Sequence, residues 1–393
     1  MYKLIISILI LLNFCIAIEN YGSFADWNAG ARSLAMGRAY VALADDASAV
    51  FWNPAGLMQV KNIQATFQQV MLFEGYSSMY MGLILPGVES ALGMDVLMLS
   101  GAGIEGRDMF NQSTGSFSDS KMSFGLSYTK LITNKLFLGI KGKYLSRAFE
   151  KQSDMAIGLD LSMLYFVTDK LRVGMNLVNI LGFVMGNTTD VMNSSSRAGI
   201  SYREGDLILN LDVGDNFSEW RLGGELTVFN MLPLRVGVNS YELSLGTGVK
   251  VMSLQFDCAY VLKELDPNIC FSMSYSLAND MEDEQKNKIN QYTKDAMDML
   301  ENDFYYLAKQ MFMKIILLEP DREKEKIMLK RIDDALPYVE SSLETETTVW
   351  PKFKEARALF EEQKYKEAER IFIEINKEIP KNRHIKDYLE KTK

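Results

Sequence analysis

From about Asn62 to Leu277, apolar and polar residues alternate with a period of two. From about Met281 onward the period becomes helical and the residues are heavily charged. The polar run Asn279-Asp280-Met281-Glu282-Asp283-Glu284 marks the change. Met155, Ile157, Leu159, Leu161, Met163 and Tyr165 form one apolar face, interleaved with Ala156, Gly158, Asp160, Ser162 and Leu164. Similar alternation runs through Met122–Thr129, Asp206–Val213, Trp220–Val228, Leu234–Asn239 and Leu254–Tyr260. Two folds produce it: a membrane barrel with the apolar face toward lipid, or a soluble sandwich with that face buried. Strands of about 9–12 residues suit a tilted membrane strand. Aromatics near the expected strand ends (Phe73, Tyr80, Tyr144, Tyr165, Phe166, Trp220, Phe229, Tyr260, Tyr275) resemble interfacial girdles. The pattern predicts an all-β transmembrane barrel of about fourteen antiparallel strands over residues 62–278. Closure removes exposed edges, and an even count returns both ends to one side.

The connections Thr133-Asn134, Thr168-Asp169 and Glu204-Gly205 read as tight turns, whereas Gly101–Asp119 and Gly186–Ser195 read as external loops. The inward parity collects charges of both signs: Asp160, Arg221, Glu225, Arg235 and Asp257, with Lys141, Lys143 and Asp212. They either neutralise one another across the lumen or line a polar path. Cys258 falls on the outward face and Cys270 on the inward one, so no disulfide is expected between them.

Residues 18–61, ahead of the alternating region, are rich in Ala and Gly and follow neither period. Asp45 or Asp46 can cap a short helix running to Phe51, which Asn53-Pro54 stops. The segment reads as a plug inside the barrel, or else as an ordinary loop packed below the first strand. Gly30, Gly37 and Gly56 could serve as hinges. Its sequence resembles the PorV/PorQ family of outer-membrane proteins, within the FadL-like barrel superfamily. The resemblance rests on Ala31-Arg32-Ser33-Leu34-Ala35-Met36-Gly37-Arg38-Ala39, Ala44-Asp45-Asp46-Ala47-Ser48-Ala49 and Trp52-Asn53-Pro54-Ala55-Gly56-Leu57. It implies a fourteen-stranded barrel with an N-terminal hatch, and marks Arg32, Gly37, Asp45, Asp46, Asn53, Pro54 and Gly56 as the hatch motif.

Residues 284–393 carry an internal repeat at an offset of 60. Ala296, Tyr305, Ala308 and Phe312 align with Ala356, Tyr365, Ala368 and Phe372, and Pro320 with Pro380. Small residues let antiparallel helices approach, aromatics fill the groove, and the proline ends the second helix. Each unit resembles a tetratricopeptide (TPR) hairpin. A charged helix from about Arg322 to Leu343, broken near Pro337, should lie between them, with a last short helix at His384–Leu389. The region is either a periplasmic docking module for a protein or a helical bundle without a partner.

At the N-terminus, Lys3 precedes an apolar run ending near Ala17, as in a signal peptide over residues 1–17. His384 is the single histidine of the 393 residues, which excludes multi-His metal sites and leaves a triad one distant base. A net charge of −9 argues against nucleic acid as a partner. No nucleotide-binding loop or metal spacing occurs, so no metal, cofactor or enzymatic activity is expected.

Three functions fit. A FadL-like channel would pass hydrophobic small molecules across the outer membrane, with outer-membrane lipid around it. A PorV-like accessory or shuttle subunit would serve a type IX-like secretion system. A structural anchor would hold the helical domain in the periplasm as a scaffold.

Overall fold

The computed structural model describes residues 29–72, 76–149, 152–185, 192, 194–214, 218–263, 267–277, 281–339 and 341–392. The signal segment, Phe73 and most of the Gly186–Ser195 connection lie outside them. The chain divides into two units between Met281 and Glu282.

The first unit opens with two short helices, α1 (Ala31–Ala35) and α2 (Ala49–Trp52), and a 3-10 helix at Pro54–Gln59. Fourteen antiparallel strands follow. They are β1 (Ile63–Met71), β2 (Tyr76–Pro86), β3 (Ser90–Arg107), β4 (Ser113–Thr133) and β5 (Leu136–Phe149). Next come β6 (Gln152–Phe166), β7 (Leu171–Met185), β8 (Ser195–Glu204), β9 (Leu207–Gly214) and β10 (Glu219–Val228). The last are β11 (Leu232–Asn239), β12 (Leu243–Val251), β13 (Leu254–Leu262) and β14 (Asn268–Leu277). Each strand pairs with its sequence neighbours, and β14 pairs with β1 from Ile63–Leu277 to Met71–Ile269, closing the barrel.

Alternation decides which way each residue points. Leu126, Leu161, Leu211 and Leu234 are more than 40% exposed, whereas Asp160, Asp212, Arg221 and Arg235 are buried. A soluble sandwich would bury the apolar face. Here that face lies outside and the polar one inside, the arrangement of a bilayer-spanning barrel. Cys258 faces outward opposite Phe271, and Cys270 is buried opposite Ala259.

Three expectations need correction. The strands are uneven: β3 and β4 have 18 and 21 residues, whereas β8–β14 have 8 to 10. The Gly101–Asp119 stretch, expected as a loop, is largely a two-stranded ribbon paired out to Arg107–Ser113. Its Ser, Gly and Phe residues keep the ladder going, with register shifts after Gly101 and after Gly106. Tyr80 is no girdle residue, because β2 parity turns it inward, where it is fully buried.

Among the described residues the second unit has six α-helices: α3 (Met281–Glu301), α4 (Tyr305–Leu318), α5 (Glu323–Ala335), α6 (Leu343–Glu361), α7 (Tyr365–Glu378) and α8 (Arg383–Thr392). The repeat is structural as well as sequential. Both helix hairpins turn through a left-handed residue, Asp303 and Gln363, which lie at the same offset. Ala296, Ala308, Phe312, Ala356, Ala368 and Phe372 are core, and Tyr305 packs against it. Tyr365 instead stands 44% exposed at the start of α7, touching Phe360 edge-on. The expected Arg322–Leu343 helix ends at Ala335. Pro337 sits in a 3-10 turn, Leu336–Tyr338, because proline lacks the N–H an α-helix needs there.

Candidate functional site

The barrel lumen is occupied by the hatch, the stretch from Ala29 to Gln59. From Ala29 to Leu57 every residue is buried except Arg32, Arg38, Asp45, Asp46 and Phe51, which are half-buried. α1 lies against β11–β14, and the 3-10 helix lies against β2–β6. A segment with so little regular structure leaves many backbone groups without internal partners, and buried groups must find them elsewhere. The wall supplies them. Asp212 accepts from Tyr40 N (2.7 Å) and Val41 N (2.9 Å). Asn210 donates to Ala39 O and Asn239 to Gly37 O. Asn176 donates to Trp52 O, Thr129 to Pro54 O, Tyr80 to Ala47 O and Lys141 to Val50 O. Ser162 accepts from Ala55 N, and Gln68 accepts from Gly30 N.

Wall glycines allow this close approach. A Cβ on Gly93 of β3 would lie 2.8 Å from Val50 Cγ2, and one on Gly174 of β7 would lie 2.7 Å from Ala42 Cα. One on Gly237 of β11 would overlap the backbone of Met36 and Gly37. Gly37 itself follows α1 with a φ of +63°, and Arg38 N returns to Ser33 O (2.9 Å), closing the helix end. Gly56, expected as a hinge, has no such φ. It packs where a Cβ would stand 2.8 Å from that of Ala44.

Arg32 ties the hatch electrostatically. Its Nε and Nη2 hold both oxygens of Glu225 at 2.7 and 2.9 Å. Nη1 donates to Asp45 (2.6 Å) and to the Tyr40 hydroxyl (3.0 Å), and approaches Asp46 at 3.4 Å. Arg203 also pairs with Asp45, and the Tyr40 hydroxyl donates to Asp46. Burial alone would raise the Asp45 carboxyl, but Arg32 and Arg203 outweigh it and hold that group below the ordinary carboxylate range. Beyond Glu225, Arg235 pairs with Glu225 (2.5 Å) and Asp257 (2.7 Å).

The structure thus joins Arg32, Asp45, Asp46, Glu225, Arg235 and Asp257 in one network. Asp160 stands apart with Lys143 (2.9 Å), and Arg221 pairs with Glu219. Asn53 bridges Val41 O and Ala55 N and caps the 3-10 helix, with Pro54 as its first residue. Asp46 accepts from Ser48 N in a local turn just ahead of α2, but the N-cap of that helix is Ser48, which makes no side-chain cap bond, so neither Asp45 nor Asp46 caps it as expected. The two carboxylates converge on Arg32 instead. Sequence reasoning missed Asp95, which holds Lys141 at 2.8 Å with both side chains 4% exposed. Its position between outward-facing Met94 and Val96 was the available signal. Among the described residues no cluster of potential metal ligands occurs.

No protein-family model and no curated protein matches the chain. Among solved structures, the Pseudomonas putida toluene transporter TodX matches with a TM-score of 0.50 at 12% identity, covering 63% of this chain and 98% of that one. The CymD monoaromatic hydrocarbon channel matches at 0.49 and 14%, over 64% and 98%. A Pseudomonas aeruginosa FadL homologue matches at 0.42 and 11%, over 67% and 100%. At such identities the likeness is one of fold: a fourteen-stranded barrel similar to that of TodX.

Proposed function

We propose that the chain is an outer-membrane channel for hydrophobic solutes, gated by its hatch. One observation carries the reading: a closed, lipid-facing barrel is plugged by a segment held through side-chain hydrogen bonds and ion pairs rather than by strand pairing. Such bonds can be released in part without opening the wall. The PorV/PorQ-like hatch sequence and the fold likeness to a toluene transporter support it. In this reading the tight-turn end faces the periplasm, the helical unit follows β14 there, and no catalytic chemistry is involved.

The test is uptake of a radiolabelled long-chain fatty acid by intact Gram-negative cells that lack a channel for it. Expression should raise uptake, and Arg32→Ala should alter its rate. No gain with either form, in folded protein, would end the channel reading. A second reading, a secretion accessory or a scaffold, is favoured by the repeated helix hairpins, whose Met313 and Ile373 are nearly half exposed. A secreted or periplasmic protein that co-purifies in fixed ratio, and is lost on deletion of residues 282–393, would support it.

A further inference from the structure

The tight-turn end of the barrel is chemically uneven. Between β4 and β5 the turn is Asn134-Lys135, between β6 and β7 it includes Asp169-Lys170, and between β8 and β9 it is Gly205-Asp206. Between β10 and β11 it is Phe229-Asn230 followed by Met231, and between β12 and β13 it is Met252-Ser253. These two turns are neighbours, since Lys250 N bonds Met231 O. Phe229 is 86% exposed and Met252 is 94% exposed. Both occupy left-handed backbone, at φ +55° and +53°, in tight hairpin turns that favour Gly, Asn or Asp at that position. In water each residue would therefore bear two costs, the strained backbone and the exposed apolar side chain.

The strands above these turns are also short. β11 has 8 residues and β12 has 9. Eight residues at about 3.3 Å each, tilted by about 40°, rise roughly 20 Å, below the roughly 25 Å of a barrel's apolar band. The outward apolar face of β10–β12 (Leu226, Leu232, Leu234, Val251), broken on β12 only by Thr247, continues into Phe229 and Met252.

We propose that the Phe229–Met231 and Val251–Ser253 turns are lipid-contacting elements. They enter the bilayer leaflet on the tight-turn side and complete the apolar band where the strands are too short to fill it. The band then reaches the rim beneath β10–β13 and stops short of it beneath β4–β8, where the turns are charged. The occupant is lipid, because the patch continues the bilayer-facing surface.

Spin labels placed singly at Phe229→Cys, Met252→Cys and Asp169→Cys test this in full-length protein carrying Cys15→Ser, Cys258→Ser and Cys270→Ala. The protein is reconstituted in phosphatidylcholine–phosphatidylethanolamine vesicles. Accessibility to oxygen relative to a water-soluble nickel chelate should be higher at 229 and 252 than at 169. A ratio at 229 and 252 equal to that at 169 overturns the proposal. So does exclusion of both reagents, which would mean that a protein or a second copy covers the turns. Phe229→Asn gives an independent check, because Asn tolerates left-handed backbone. With lipid contact, the urea midpoint for unfolding from vesicles falls despite the relieved turn. If it rises, Phe229 stands in water and the proposal is wrong.

Discussion

Arg32 makes five polar contacts with four partners of two kinds. Glu225 belongs to the wall, whereas Asp45, Asp46 and Tyr40 belong to the hatch. Removing a half-buried cation that compensates several carboxylates leaves them uncompensated, at a cost below the roughly 3–5 kcal/mol of a fully buried pair. Arg32→Ala should therefore loosen the hatch while the closed wall persists. Hydrogen exchange in residues 29–59 should quicken, and unchanged protection would show that the glycine contacts alone hold the plug. In the helical unit, Glu346 of α6 plays a comparable part. It is fully buried and accepts from Leu307 N (3.0 Å) and the Ser341 hydroxyl (2.6 Å), so α6 caps the start of α4. Glu346→Ala should cost about 1–3 kcal/mol by orphaning those donors. Burial pushes the Glu346 carboxyl above its ordinary 4.5, against the pull of its hydrogen bonds. A raised acid binds its proton more tightly folded than unfolded. Its contribution is therefore full below pH 4.5 and declines as pH rises through the raised value. Against a Glu346→Gln control, the wild-type helical unit should lose relative stability from pH 4 to 7. A difference in melting temperature that stays constant with pH would rule this out.

The wall glycines separate two uses of the same residue. Gly237 meets hatch backbone, whereas Gly142, outward on β5, has nothing within 4 Å of a built Cβ. Gly237→Leu should force the hatch off β11, and the barrel should conduct ions more readily in planar bilayers. Gly142→Ala should change neither conductance nor folding. If Gly237→Leu conducts like wild type, the hatch tolerates displacement and the close fit is not what seals the lumen. The contrast also shows how far the sequence reached. Parity alone assigned the faces of β6, β9, β10 and β13, because a period of two maps directly onto inside and outside. Applied more strictly, it would have placed Tyr80 and Asp95 inside as well. It could not pair Arg32 with Glu225, which lie 193 residues apart, one in the irregular hatch and one on β10. Nor could it show which hatch backbone each inward glycine receives, since an irregular segment has no period to read. In the helices, the offset of 60 located both hairpins. It misplaced Tyr365, which stands exposed at the start of α7 although Tyr305, at the same position of α4, packs against the core.

At the scale of the whole chain, each unit has its own core. The barrel closes through β1 and β14, and the helical core draws its buried residues from α3–α8. A closed barrel needs no later segment to satisfy its edges. Deleting residues 282–393 should therefore leave heat-modifiable gel mobility, the hallmark of a folded barrel, unchanged, along with hatch protection in hydrogen exchange. The full chain should accordingly unfold in two transitions rather than one, because separate cores break two-state behaviour. Glu346→Ala should lower only the helical transition and Arg32→Ala only that of the barrel, as expected for sites with no shared partner. If either substitution moves both transitions, or if the truncated barrel loses hatch protection, the two units are energetically coupled. Hatch release could then be controlled by whatever the helices bind. If the transitions stay separate, any gating in the proposed channel belongs to the barrel alone, and the helical unit acts independently of it.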